Sequence, residues 1–161
     1  MTDKRKSWQE KLTDNKGLPN IVKCEENDRF GPRWGIKPGD TFVIPAPVEV
    51  DEIMGKVPYG KLITINIIRE KLSQKHGTKA ACPITTGIFA RIAAEAAAEK
   101  VAEGKKDITP YWRTLKAGGV INEKYPGGVE HQKELLEKEG YKVISKGKQY
   151  IVVDFEKYLV K

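Results

Sequence analysis

Two helix-forming runs separated by only a few residues occupy the middle of the chain, and they restrict its possible folds more than any other feature. In the first, Thr64 is a good N-cap for a helix over residues 65–75, because its hydroxyl can accept from an amide left open in the first turn. Ile65, Ile68 and Leu72 then share one helical face. His76-Gly77 closes the run, with glycine in the C-cap role. The second run covers residues 83–102. Pro83 suits a first helical turn, and Ile84, Ile88 and Ile92 recur every four residues with Phe89 and Ala96 beside them. The stretch AAEAAAEKVAEG has high intrinsic helicity, and Gly104 ends it. Two helices joined by a short Gly-containing link outline a helix-turn-helix unit.

The flanks are shorter elements. A Pro-rich break, IPAPVEV, sets off a front segment with turn signals at Lys16-Gly17, Gly31-Pro32 and Pro38-Gly39. That segment holds a short strand over residues 41–44 and a helix around residues 8–12. Residues 1–47 are too few for an independent core, so they are expected to pack on the main domain. VEVDEIMGKV forms a short helix ended by Pro58, with a turn at Tyr59-Gly60-Lys61. Beyond the helical pair come a Pro110-led segment, a hairpin about Gly118-Gly119, and a helix over residues 128–138 bearing Val129, Leu135 and Leu136. The tail reads as a β-hairpin turning near Lys146-Gly147. The expected fold class is α+β: a winged helix-turn-helix-like domain over residues 48–140, an N-terminal accessory segment over 1–47, and a C-terminal hairpin extension over 141–161.

With 39% hydrophobic and 32% charged residues, the 161-residue chain has a globular composition. No apolar run approaches the roughly 18–20 residues of a membrane helix, and no apolar stretch follows the basic N-terminus as in a secretory signal, so the cytoplasm is the expected location and no membrane partner is implied. Cys24 and Cys82 make neither a disulfide framework nor a zinc site. No metal-ligand spacing and no cofactor motif is evident. The net charge of +7 favours a polyanionic partner, nucleic acid first. Lys56, Lys61, Arg69, Lys71, Lys75 and Lys79 face a single acid, Glu70, within residues 56–79. Lys56, Lys61, Lys75 and Lys79 are read as phosphate contacts whose binding weakens with salt, with Thr64 beside them. On the second helix, Thr85 and Thr86 can donate to phosphates, and Arg91 adds charge.

Two stretches carry a family resemblance. VPYGKLITINIIREKL and PYWRTLKAGGVINEKYPGGVEHQKELLEKEG resemble the DNA-binding and active-site segments of methylated-DNA–protein cysteine methyltransferases. The Gly127-Gly128 pair and the helix end Leu135-Leu136, Glu139, Gly140 are its most specific part. The resemblance implies a pocket from Ile65, Cys82, Pro110, Tyr111, Trp112, Arg113 and Glu139. Family members carry an acceptor cysteine and an activating histidine where this chain has Tyr111 and Trp112, and neither a phenol nor an indole replaces a thiolate–imidazole pair at neutral pH. Family alkyl transfer is therefore not expected. A phosphate-side tyrosine of the family corresponds to Ile65, and an arginine that fills the gap left by an extruded base corresponds to Cys82. The chain is similar to the alkyltransferase-like branch, which lacks the acceptor cysteine and binds alkylated bases without repairing them, but it also lacks the histidine and the arginine.

The implied partner is double-stranded DNA, with alkylated DNA and DNA-repair proteins as finer versions of the same expectation. Two alternatives stay open on sequence. One is a small cysteine-dependent enzyme or redox protein using Cys82 at a helix N-terminus. The other is a protein-interaction adaptor that keeps only the fold.

Overall fold

The computed structural model describes residues 6–26 and 35–160. The turn expected at Gly31-Pro32 lies outside the described residues. Five α-helices and three small sheets make up the described chain. Helix α1 (Trp8–Thr13) precedes strands β1 (Asn20–Lys23) and β2 (Thr41–Ile44), and α2 (Pro47–Gly55) comes next. Strand β3 (Ile63–Thr64) leads into α3 (Ile65–His76), β4 (Ala80–Ala81) and α4 (Pro83–Ala102). Then come a 3-10 turn (Tyr111–Arg113), β5 (Thr114–Leu115), α5 (Gly128–Lys138) and the hairpin β6 (Val143–Lys146) and β7 (Gln149–Val152). The short 3-10 segment Phe155–Tyr158 returns the tail toward β3, where Leu62 and Leu159 form a bridge.

The α3–α4 pair obeys its punctuation closely. Thr64 caps α3, its hydroxyl accepting from the Ile67 amide at 3.3 Å. Gly77 adopts φ +67 at the C-cap, a left-handed conformation that glycine enters without a Cβ penalty. Thr64→Ala is expected to cost about 1 kcal/mol, read by urea denaturation, because the Ile67 amide loses its acceptor beneath a buried cap.

Helix α4 is the spine of the molecule, with α1, α2 and α3 packed on it. Its buried face consists of small residues, Thr86, Ala90, Ala93, Ala94, Ala96 and Ala97, which let the other helices approach closely. The isoleucine repeat is divided, Ile92 packing partly against the main core and its two predecessors facing outward. Ile84 and Ile88 are 52% and 51% exposed, on the opposite side of α4 from the alanines. Met54, Ile63, Ile68 and Leu72 complete the main core. Residues 117–119 form a tight 3-10 turn that closes a single bridge, Lys116 to Val120, in place of the hairpin expected there. Gly119 has φ +79, and a Cβ there would run into the Phe155 ring. The front segment joins the rest through β1-β2-β4: β2 runs antiparallel to β1 and parallel to β4.

One buried carboxylate ties α2 to α3. Glu49 accepts from the Ala46 amide at 3.1 Å, from Lys75 at 2.9 Å and from His76 Nε2 at 2.7 Å. Burial pushes its pKa up, but the hydrogen bonds from Lys75, the Ala46 amide and His76 outweigh it and hold the carboxyl below its ordinary value. A lowered folded-state pKa gives stability that is complete above the unfolded value and lost as the pH falls through the folded one. The stability advantage of wild type over Glu49→Gln should therefore shrink below about pH 4, measured as the difference in Tm across an acid series.

Candidate nucleic-acid interface

The segment carrying Tyr111 and Trp112 is fixed from below. Arg113 donates through Nε to Glu139 at 2.9 Å, through a second nitrogen to the other carboxylate oxygen at 3.0 Å, and to the Val57 carbonyl at 2.8 Å. Trp112 Nε1 donates to the same carboxylate at 2.6 Å. Glu139 and Arg113 keep only 8% and 13% of their side chains exposed, so this is a shielded, two-pronged ion pair. Gln132, buried on α5, donates to the carbonyls of Trp112 and Thr114 at 3.1 and 3.3 Å and accepts from the Asn122 amide at 3.0 Å. Arg113 and Glu139 are thus a structural clamp beneath the segment. Gln132 carries no sequence signal, being one polar residue among several on an amphipathic helix.

Tyr111 is buried, edge-on to Trp112 and Tyr125 with ring centroids 5.4 and 5.8 Å apart. Burial, with the nearby Glu95 carboxylate adding to it, raises the Tyr111 phenol above its ordinary pKa, and burial raises Tyr125 as well. Both shifts disfavour the phenolate form at neutral pH. An open cavity of about 650 Å³ lies beside Tyr111 and Trp112, lined also by Val101, Ile108 and Leu135. Glu130 and Glu134 stand in its wall beside His131 and, among the described residues, no lysine or arginine lines it, a poor charge match for a phosphodiester.

A second groove, of about 560 Å³, has the opposite character. It runs along the exposed face of α4, with Ile84, Ile88 and Arg91 on one wall and Ile65 from the start of α3 nearby. Lys116 and Lys124 enter from the turn before α5, and Trp8 and Lys11 from α1. Among the described residues Glu123 is its one carboxylate, and Lys116 Nζ donates to it at 2.8 Å.

The residues expected from sequence are distributed unevenly between these places. Arg91 and Ile65 line the α4 groove. Tyr111 and Trp112 line the other cavity, with Pro110, Arg113 and Glu139 supporting it. Lys56, Lys61 and Lys79 are exposed, but Lys56 lines a separate cavity with Val57, Ile63 and Val160, and Lys75 is paired with Glu49. The threonines are corrected. Thr86 is fully buried and its hydroxyl donates to the Cys82 carbonyl at 2.6 Å, while the Thr85 hydroxyl oxygen is buried too and Thr64 is spent as a cap. All three hydroxyls lie away from solvent, so none is presented to a phosphate as expected. Cys82 is 6% exposed among Cys24, Ile36 and Phe42, which gives it a packing role instead of an open nucleophilic one. Sequence reasoning missed Trp8, Lys11, Lys116 and Lys124, which meet only through tertiary packing.

The fold is similar to that of S. pombe Atl1. A crystal structure of that protein in complex with damaged DNA containing O6-carboxymethylguanine matches with a TM-score of 0.50 at 19% identity, over 71% of this chain and 94% of that one. A second, of S. pombe ATL in complex with DNA, matches with a TM-score of 0.51 at the same identity and coverage. At this identity the likeness concerns the fold alone. No protein-family model matches the sequence, and no curated protein does.

Proposed function

We propose that the chain is a double-stranded DNA-binding module of the alkyltransferase-like type, with α3 and α4 as a helix-turn-helix and the exposed face of α4 presented to the duplex. The observation that carries this reading is the groove along α4, where two exposed isoleucines sit among arginine and lysine on the exposed face of the helix. The fold is also similar to that of a protein crystallised with damaged DNA, which supports duplex binding in general and not this groove in particular.

Damage would be sensed at this surface and not in a deep acceptor pocket. Tyr111 fills the place of the acceptor residue with packed aromatic rings, and the cavity beside it is walled by carboxylates. Ile84 and Ile88 can instead press on a base step, which yields most easily where stacking is already weakened by a lesion. Duplexes with and without one O6-alkylguanine, titrated against the protein by fluorescence anisotropy, test this. Both should bind, with a several-fold preference for the lesion. Equal affinity removes damage sensing and leaves duplex binding. Binding to neither at low salt removes the whole proposal.

A further inference from the structure

The geometry points to α1 as a second DNA-contacting element, one that extends the phosphate track beyond α4; this rests on the duplex-binding reading above. Helix α1 is firmly seated. Ser7 caps it, its hydroxyl accepting from the Glu10 amide at 3.1 Å. Glu99 on α4 accepts from the Trp8 and Gln9 amides at 3.0 Å each, and Leu12 is buried. Burial raises the Glu99 carboxyl, but these hydrogen bonds outweigh it and keep the group ionised, so its charge is spent on the α1 backbone.

That seating gathers cations over one aromatic ring. Lys11 Nζ stands 4.3 Å from the Trp8 ring centroid and Arg91 of α4 stands 5.6 Å from it. Beyond them a smaller cavity of about 370 Å³ shares Lys11 and Ile92 with the α4 groove and adds Lys6 and Lys16 over an apolar floor that includes Phe89. The two cavities therefore form one continuous track. Their two carboxylates, Asp14 and Glu123, are each taken by a lysine, Lys6 and Lys116. Among the described residues, none of Lys11, Lys16, Arg91 and Lys124 is in a direct ion pair; the Glu99, Asp14 and Glu123 carboxylates feel Lys11, Lys16 and Lys124 at longer range, and the six lining cations still outnumber the two lining carboxylates.

A row of cations broken by aromatic and aliphatic surface, running on from a DNA-facing helix, has the chemistry of a phosphate backbone track. An isolated anion site would need convergent donors, and here they are strung out along two elements. The occupant is the backbone of the same duplex, on the flank next to the N-terminal half of α4.

The double variant Lys11→Gln, Lys16→Asn tests this. Asparagine tolerates the positive φ of exposed Lys16, and glutamine at half-buried Lys11 gives up only the cation–π contact with Trp8, so the fold is kept and Tm should fall by no more than a few degrees. Each phosphate contact contributes about 0.9 to the slope of log K against log salt, so the slope should fall by about 2, with a hydroxyl-radical footprint shortened on one flank. Wild type binding duplex while the variant keeps the wild-type slope and footprint overturns the role of α1 and leaves the α4 reading intact. Failure of wild type to bind duplex at low salt overturns both.

Discussion

Ile88→Glu should weaken duplex binding about 100-fold without unfolding the protein. The side chain is half-exposed in the middle of the α4 groove, so the new carboxylate stays solvated in the free protein and little packing is lost. In the complex it meets phosphates, and like charges brought together at an interface cost several kcal/mol. About 3 kcal/mol corresponds to a factor of roughly 100 in affinity. Anisotropy titration gives the affinity and a thermal melt gives the fold. An affinity within threefold of wild type, at equal Tm, would remove α4 from the interface. A matched Val101→Glu, at an equally exposed apolar site in the cavity walled by carboxylates, should change affinity little.

Glu139→Ala should be the most damaging single change to stability. The carboxylate receives the Arg113 guanidinium and the Trp112 indole in a shielded place, and removing it leaves a guanidinium and an indole N–H without their acceptor. Breaking a buried ion pair from one side costs about 3–5 kcal/mol, and each kcal/mol shifts Tm by roughly 2–4 °C in a domain of this size, so a fall of about 10 °C is expected. Arg113→Ala should cost a similar amount. The double variant should lose clearly less than the two losses added, because each single change strands the other partner. Additive losses would mean that the clamp is not a coupled unit.

Helix punctuation made most of the fold readable in advance. Thr64, Gly77, Pro83, Gly128 and Gly140 bracket α3, α4 and α5 within a residue or so of where they occur, because caps and breakers act locally and need no tertiary context. The strand over residues 41–44 and the final hairpin were equally legible. The burial of α4 was not. A repeat of isoleucines suggests a core face, yet alanines form the buried side, because close approach of α1 and α2 selects small residues where a looser packing would select large ones.

The clamp and the groove show the same division between local and tertiary information. Arg113 and Glu139 stand out in the sequence through their place in a motif, but that they meet as an ion pair is set by the tertiary fold. The cations of residues 56–79 suggest a single patch because they are close in sequence. In the fold Lys75 turns to Glu49 and Lys56 lines a cavity away from α4. The cations that share the α4 groove come from α1, α4 and the turn before α5, which are far apart in sequence, and no local pattern announces them.

The most direct test of the α4 interface is amide chemical-shift mapping of the full chain as duplex DNA is added at low salt. The expected perturbations cluster over residues 84–92 and 116–124, with a second group on α1. Perturbations confined to the cavity beside Tyr111 and Trp112, or absent at every duplex concentration, would contradict a DNA-binding α4.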